Sequence, residues 1–410
     1  MVVRGRAMHA PTKKEIEHDK FIKGLILASD NFIVNRPNLG LHTIIAGYHW
    51  FLDWGRDAFI SFEGLLLTTK RFEIAKEILL TFTKDIKHGL VPNGYSGFDN
   101  RPLYNSVDSG LLLFEQVNKY LKYTNDYNFI KENIYELLKV IISSYKDGIT
   151  FDNNNIYLDK DGLISSGSEE TQITWMDAKI GNLVVTPRHG KAVEINAMWY
   201  NALKIMEDLS DRFGEADLST SYASLSKKCK TAFTKKFYNK EKACLYDVIG
   251  DDKIRPNQLF ALGLSHPVIT LSSDVALQMF NTVTSKLLNK YGLKTLAKGE
   301  KGYIEIYEGD NFKRDMSYHQ GTTWPWLLGI YNDAFLNVIS GVKSKPKKAE
   351  LKAGHAKFKE SIEKTFTKAL WEDGMIGSIS EIYDSKSPWL PKGAMAQAWS
   401  VAEVLRIVVQ

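Results

Sequence analysis

Several carboxylates of this 410-residue chain lie in or beside its long loops, where they could carry out acid–base chemistry. Hydrolysis of a glycosidic bond needs two of them: an acid that protonates the leaving oxygen, and a carboxylate that activates water or attacks carbon. Asp177 follows Trp175, whose ring could desolvate the carboxyl group and raise its pKa, as a general acid requires. Glu381 lies near the other end of the chain among small and apolar residues. The other candidate carboxylates in or beside the loops are Asp53, Asp57, Asp108, Glu194, Glu305, Glu308 and Asp384.

Spacing alone does not bring any two of these groups together. For each one taken singly, a structural salt bridge or a helix cap is about as common a role as catalysis. The chemistry therefore depends on what else the loops carry and on which elements position them.

Residues 47–57 have the composition of a sugar-binding loop, with Tyr48, Trp50, Phe51, Trp54, Asp53, Arg56 and Asp57 in one short stretch. Aromatic faces stack on the C–H faces of sugars, while Arg and Asp can grip vicinal hydroxyls. The alternative is an aromatic-rich core turn with a surface Arg–Asp pair. Similar side chains recur in later loops, at Asn105, Asp108, Trp175, Glu194, Asn196, His319, Gln320 and Trp324. This concentration of Trp and polar residues in loops favours a carbohydrate ligand.

Helical periodicity dominates the sequence, and two kinds of helix alternate along it. Amphipathic, Lys- and Glu-rich helices are predicted at about 14–34, 71–88, 127–148, 216–237, 272–291 and 348–370. Helices that are apolar nearly all round are predicted at about 57–69, 107–123, 192–207, 256–264, 324–340 and 394–408, as expected of buried helices. This alternation predicts an all-α (α/α)6 barrel, with an inner ring of helices wrapped by an outer ring. An open α-solenoid and a two-domain helical protein are the alternatives.

The loops also fall into two kinds, since connections from a surface helix to the next buried one are long and the others are short. In a barrel all long loops meet at one rim, and long ordered loops are usually functional. The β-branched and aromatic stretch 303–307 is expected to form a small hairpin in one of them. The absence of a linker-like stretch predicts one catalytic domain over residues 1–410, with about 1–15 as a flexible extension.

The composition argues against several other classes of protein. The chain has 53 basic and 48 acidic residues, mixed along its length, so the net charge of +5 does not indicate nucleic-acid binding. No apolar run is long enough for a membrane span, and no signal peptide is apparent. The nucleotide-binding, zinc-protease and Ser-hydrolase motifs are missing, so neither a metal nor a cofactor is expected. Two cysteines, Cys229 and Cys244, make no disulfide framework and favour a cytoplasmic setting.

Five stretches in register resemble the C-terminal catalytic region of glycogen debranching enzymes, the amylo-α-1,6-glucosidase domain. They read YHWFLDWGRD (48–57), TWMDAK (174–179), VEINAMWYNAL (193–203), YHQGTTWPW (318–326) and AQAWSVAE (396–403). The resemblance runs from about residue 20 to the end of the chain.

The resemblance implies an (α/α)6 glucoamylase-like barrel and an inverting α-1,6-glucosidase that removes single-glucose stubs from glycogen or limit dextrin. It implies that Asp177 is the general acid and Glu381 the general base. Arg56 and Asp57 match the pair that holds the terminal glucose, and Trp50, Trp175 and Trp324 resemble subsite walls. The remaining residues expected to bind substrate are Asp53, Trp54, Asn105, Asp108, Glu194, Asn196, His319 and Gln320.

The chain departs from the family pattern at His49, where Pro is usual, and at Leu52, where Gly is usual. Residues 387–394 are also less typical of the family. These departures are expected to affect substrate contacts more than the catalytic chemistry. The alternatives are a glucoamylase- or trehalase-like barrel enzyme and a non-catalytic polysaccharide-binding module. Glu194 and Glu170 are the next candidates for the acid.

Overall fold

The computed structural model describes residues 13–36, 39–97 and 99–410, and 53% of the chain is helical. Over those residues the α-helices are α1 (Lys13–Asp30), α2 (Gly55–Phe62), α3 (Phe72–Thr83), α4 (Ser109–Thr124), α5 (Tyr127–Asn133), α6 (Tyr135–Asp147), α7 (Val193–Phe213), α8 (Ala216–Phe237), α9 (Phe260–Gly263), α10 (Asp274–Leu287), α11 (Asn311–Tyr318), α12 (Leu327–Gly341), α13 (Lys345–Glu372) and α14 (Ala398–Val409). The expected flexible extension at about 1–15 lies largely outside the described residues, and α1 begins at Lys13.

The predicted alternation of buried and surface helices is confirmed. The apolar segments form α2, α4, α7, α9, α12 and α14, whose residues are largely buried. The amphipathic segments form α1, α3, α5 with α6, α8, α10 and α13. The segment predicted at 127–148 divides in two, because Ile134 has φ −121° and interrupts the helical backbone.

The six buried helices contact one another in a closed order. In that order α2 packs on α4, α4 on α7, α7 on α9, α9 on α12 and α12 on α14, and α14 returns to α2. Surface helices cover this ring, with α8 against α7, α13 against α12 and α14, and α1 against α13 and α14. The apolar faces of all these helices meet in one continuous core.

A glycine allows the two ends of the ring to close tightly. Helix α2 continues as a π-helix over Glu63–Leu67, and Gly64 lies in that segment. A side chain at Gly64 would collide with the backbone of Ala402 on α14. The close approach of the first and last buried helices therefore depends on this residue.

Short strands order the long loops. They are β1 (Ile33–Arg36), β2 (Leu41–Ile44), β3 (Gly47–Tyr48), β4 (Gly94–Tyr95), β5 (Pro102–Leu103), β6 (Tyr157–Leu158), β7 (Ile164–Ser165), β8 (Lys179–Ile180), β9 (Leu183–Val184), β10 (Tyr238–Asn239), β11 (Cys244–Leu245), β12 (Leu288–Asn289), β13 (Gly292–Lys294), β14 (Thr323–Trp324), β15 (Ile382–Tyr383), β16 (Pro391–Lys392) and β17 (Ala396–Gln397). The strands β12 to β16 form one antiparallel sheet, in which Thr323 pairs with Tyr383. Pairing of β3 with β17 places Gly47 opposite Gln397. These pairings bring together loops that are far apart in the sequence.

The prediction of a hairpin at 303–307 is wrong, since this stretch has no regular strand. The loop instead contains α11, which the sequence analysis missed. Asp310 caps this helix by accepting a hydrogen bond from the Lys313 amide at 2.9 Å. Within the described residues no helix has the length and apolar character needed to cross a bilayer.

Candidate active site

Arg56, in the first turn of α2, lies at the centre of a group of buried carboxylates. Its Nε atom donates to both oxygens of Asp108 at 2.9 Å, and its Nη1 atom donates to Asp177 at 3.0 Å. Burial alone would lower the pKa of Arg56, but these carboxylates raise it above its ordinary value. Nη2 of Arg56 is buried and has no hydrogen-bond partner among the described residues. The two N–H groups of Nη2 are therefore not satisfied by the described part of the protein.

Asp108 is the anchor that orients Arg56. The carboxylate is 2% exposed and accepts a further hydrogen bond from the Ser106 hydroxyl. Ser109 also bonds to Ser106 and donates to the Asn93 side chain at 3.0 Å. This polar chain fixes the loop before α4, so that Asp108 can hold the guanidinium in one orientation.

Asp177 opens toward solvent on one side. Its side chain is 38% exposed, whereas that of Arg56 is 5% exposed. Desolvation by the surrounding protein raises the pKa of Asp177, and the positive charge of Arg56 partly offsets this. The carboxyl group can therefore reach a ligand while it stays fixed by an ion pair.

Glu381 lies just before β15 and is 2% exposed. It accepts hydrogen bonds from the Tyr318 hydroxyl and, at 2.9 Å, from the Ala394 amide. Burial raises the pKa of Glu381 to about 7, the two hydrogen bonds oppose that rise, and the charge of Asp177 adds to it. Gln397 links Glu381 to the Arg56 cluster: its backbone amide donates to the Ile379 carbonyl at 2.9 Å, and its side chain donates to Asp57, the neighbour of Arg56.

Two further features define the surroundings of Glu381. Gly393 has φ +67°, and a side chain there would collide with the carboxyl group of Glu381, so the loop backbone packs directly against it. Asp57 is 7% exposed and accepts a hydrogen bond from Gln397 at 3.1 Å. Burial raises the pKa of Asp57 well above its usual range, Arg56 opposes this, and neighbouring carboxylates including Glu381 reinforce it.

The predicted aromatic walls are mostly internal. Trp175 and Trp324 are 4% and 1% exposed, and their rings meet edge to face at a centroid distance of 5.4 Å. His319 stacks on Trp324 at 5.2 Å, and Trp326 packs against Trp175 at 5.0 Å. Because these rings are buried, they support the loops of the site and offer a ligand only a small part of their surface. By contrast, Trp50 is 61% exposed, while Trp54 is half-buried.

His319 is a neutral polar group in this aromatic cluster. Burial lowers the pKa of its ring well below the usual value, and nearby arginines, Arg255 first, add to the effect. Its Nδ1 atom has no hydrogen-bond partner among the described residues. Gln320, the next residue, joins two loops by donating to Thr186 at 2.9 Å and accepting from Arg255 at 2.9 Å.

Three predicted binding residues are engaged by protein groups. Asp53 is 4% exposed and pairs with Arg36 at 3.2 Å. Glu194 is 1% exposed and accepts from Nη2 of Arg188 at 2.6 Å. Asn196 is fully buried, and its amide bonds to the backbone. Their side chains therefore support the loops, and the hypothesis that they bind substrate gains no support from these positions.

Arg188 connects Glu194 to Asp247 in a buried ionic network. Its Nε atom donates to Asp247 at 2.7 Å, and Asp247 accepts from Asn257, also at 2.7 Å. Asn257 in turn accepts from the indole N–H of Trp175 at 2.7 Å. The network thereby fixes the ring that lies two residues before Asp177.

Arg188→Met should destabilise the protein by about 3–5 kcal/mol, because it leaves Glu194 buried without its cation and removes the closer of the two arginines that pair with Asp247. Urea unfolding of the purified variant measures the change. Arg101→Met is the matched control, since Arg101 is exposed and should tolerate the same replacement within about 0.5 kcal/mol. Equal midpoints for the two variants would contradict this account of the network.

Several residues of the site were missed as individual candidates. Tyr318 and Gln397 lie inside the conspicuous motifs 318–326 and 396–403, so the motifs were a usable signal. Asp247 has no comparable signal, because its role comes only from its distant partner Arg188. Asn105, by contrast, is exposed as a binding residue should be, and accepts a hydrogen bond from Asn93 at 3.3 Å. Within the described ranges no group of three or more His, Cys, Asp or Glu side chains could hold a metal ion.

A helical protein whose loops gather such carboxylates around an arginine has the make-up of an all-α glycoside hydrolase. Residues 27–406 match the family described as amylo-alpha-1,6-glucosidase, and the chain belongs to that family. It is also similar to the glycogen debranching enzyme of Saccharomyces cerevisiae, with 27% identity over an alignment of 371 residues. That alignment covers 69% of this chain and 24% of the yeast protein. The chain thus corresponds to about a quarter of that relative.

Proposed function

We propose that this glycosidase removes single α-1,6-linked glucose residues from a branched α-glucan such as glycogen limit dextrin, with inversion at the anomeric carbon. Asp177 is the general acid and Glu381 the general base. The observation that carries this proposal is the pair of neighbouring carboxyl groups, one open to solvent and one buried, in a family named for this activity. The yeast relative, named a glycogen debranching enzyme, supports the choice of glucan.

The reaction adds one water across the bond. Asp177 gives its proton to the glycosidic oxygen, the bond from that oxygen to C1 breaks, and its electron pair stays on the oxygen. Glu381 takes a proton from water while the water oxygen bonds to C1 from the opposite face. The products are β-glucose and a main chain with a free 6-hydroxyl, and exchange with solvent returns both carboxyl groups to their starting states.

Arg56 and Asp57 are proposed to hold the terminal glucose. The unpartnered Nη2 of Arg56 can donate to a sugar hydroxyl, and the guanidinium is already oriented by Asp108. A preoriented donor loses little entropy on binding, so it can position C1 accurately. Trp50, with its exposed ring, is the aromatic residue best placed to stack on a glucan.

We propose further that the six buried helices form the inner ring of an (α/α)6 barrel in one catalytic domain. The closed order of contacts from α2 through α14 supports the barrel over the open solenoid. The long loops then share one rim, where all the proposed site residues lie. The two cysteines are buried and unpaired, which supports a reducing compartment such as the cytoplasm.

Tyr318→Phe should move the acidic limb of the kcat/KM profile to higher pH by about one unit. The Tyr318 hydroxyl donates to Glu381 and so favours the ionised form. Without that donor the pKa of Glu381 rises above about 7, and the base stays protonated, hence inactive, up to a higher pH. The loss of activity is therefore larger at pH 6 than at pH 8.

A pH series of glucose release measures this shift. Tyr307→Phe is the control, because Tyr307 packs near Tyr318, with ring centroids 5.8 Å apart, but has no hydrogen bond to Glu381. If Tyr318→Phe instead lowers kcat/KM by the same factor at every pH, that result would count against Glu381 as the base.

The proposal is tested by following glucose release from a maltooligosaccharide with one α-1,6-glucosyl branch by NMR. We expect β-glucose to appear first and the α-anomer to follow by mutarotation. Initial release of α-glucose would overturn inversion, whereas faster release from maltosyl substrates or trehalose would favour a glucoamylase- or trehalase-like enzyme. Glycogen binding without any glucose release would indicate a non-catalytic binding module.

A further inference from the structure

A polar groove of about 730 Å³ is lined by residues of the two loops that carry Asp108 and Asp177. Its volume is within the about 300–1,000 Å³ that is typical of ligand sites. The lining residues are Asn105, Asp152, Asn153, Asn155, Ser168, Glu170, Thr171, Gln172, Ile173, Lys179 and Asn182. Apart from Asn105, none of these was expected to bind substrate.

Several residues that line the groove lie within four residues of Asp108 or Asp177 in the chain. Asn105 and Ile173 line it, and the segments that contain them lead to Asp108 and Asp177. The Val107 amide donates to the Ile173 carbonyl at 2.9 Å, so these two segments run side by side. Lys179, two residues after Asp177 in the chain, also lines the groove and donates to the Glu170 carbonyl at 2.8 Å.

The floor of the groove is fixed by Asn154. This buried side chain donates to the Tyr104 carbonyl at 2.5 Å and to the Phe151 carbonyl at 3.0 Å. The flanking residues Asn153 and Asn155 are exposed and have φ of 60° and 44°. The loop therefore presents amide side chains on an anchored backbone, which is a preorganised arrangement for hydrogen bonding.

The chemistry of the lining fits a neutral polyhydroxyl chain. Amide side chains predominate, and each amide can donate to one hydroxyl and accept from another. The charged side chains are Asp152, Glu170 and Lys179, so the lining carries no positive excess that would select a phosphate or a nucleic acid.

We propose that this groove binds the α-1,4-linked main chain that carries the branch, which is the leaving group of the reaction. The inference rests on the proposed function, because the general acid must lie where the leaving oxygen departs, and the groove is lined by Ile173 and Lys179 on either side of Asp177 in the chain. Hydrogen bonds to the main chain would then select a branched glucan over a small α-1,6-glucoside.

The test compares two substrates in the wild-type protein and in the double variant Asn153→Gly, Asn155→Gly. Glycine accepts the positive φ at both positions, so the change removes the amides without straining the loop. The first substrate is a maltooligosaccharide with one α-1,6-glucosyl branch, and the second is α-glucosyl fluoride, whose leaving group does not enter the groove. We expect the ratio of the two kcat/KM values to fall about tenfold in the variant.

Asn128→Ala is the matched control, since Asn128 is an exposed amide beyond the opposite end of α4. A wild-type ratio in the double variant would overturn the groove proposal while leaving the proposed reaction in place. Absence of glucose release from both substrates in the wild-type protein would instead overturn the reaction.

Calorimetry with linear maltoheptaose tests the groove independently of turnover. We expect Kd to rise about tenfold in the double variant and to stay the same in Asn128→Ala. Equal Kd values in the wild-type protein and the double variant would overturn the assignment of the groove.

Discussion

Glu381→Gln should lower kcat for glucose release from branched α-glucan by about 10²–10⁴-fold. The replacement keeps the volume of the side chain but removes the group that accepts the proton of the attacking water. Because Glu381 is buried beneath the site and bound by Tyr318 and Ala394, its main effect should fall on kcat rather than on KM. Steady-state kinetics on a purified, folded variant measure the change.

Two further measurements separate loss of a base from general damage. Turnover of α-glucosyl fluoride should fall as well, since water must still be activated when the leaving group is fluoride. Azide should restore turnover to Glu381→Ala and give β-glucosyl azide, because a small anion needs no base to attack C1. Glu305→Gln is the control, as Glu305 is a half-buried loop carboxylate that pairs with Lys386 at 3.2 Å. A wild-type kcat in Glu381→Gln would remove this residue from the mechanism.

The helical part of the fold could be predicted because burial leaves a periodic trace in the sequence. Segments such as 107–123 and 394–408 are apolar on all faces, and they form the buried helices α4 and α14. The structure of the loops was harder to predict from local sequence patterns. The stretch 303–307 has strand-like residues but forms no strand, whereas the short α11 is mainly polar and depends on its cap at Asp310. Local patterns fail in these loops because long-range pairing, as between β14 and β15, decides their shape.

The chemical character of the site could be predicted further than its geometry. Sequence motifs singled out Asp177 and Arg56, which form an ion pair in the structure, whereas the role of Glu381 was implied only by the family resemblance. The sequence could not distinguish an exposed tryptophan that could contact a ligand from a buried one that supports the site. Trp50 and Trp324 have similar local surroundings in sequence, yet one is 61% exposed and the other 1%, because only the packing of distant rings decides their burial.

Asp177→Asn should lower kcat on branched α-glucan by about 10²–10⁴-fold, yet leave α-glucosyl fluoride turnover within about tenfold of wild type. An alkoxide leaving group needs a proton from the acid, whereas fluoride departs without one. The variant should fold normally, because Arg56 keeps its pair with Asp108 when the bond to Asp177 weakens. Glu308→Gln, at an exposed loop carboxylate, is the control.

The contrast between the two substrates also decides which carboxyl group is the acid. Burial raises the pKa of both Asp177 and Glu381, and in the free protein Arg56 opposes this rise at Asp177 while Tyr318 opposes it at Glu381. Because the pKa of each group is raised by the same physical cause, pKa alone does not assign their roles. If Asp177→Asn loses α-glucosyl fluoride turnover while Glu381→Gln retains it, the roles are reversed. We expect the opposite pattern, since Asp177 is the more exposed of the two and belongs to the loop that lines the groove proposed for the leaving chain.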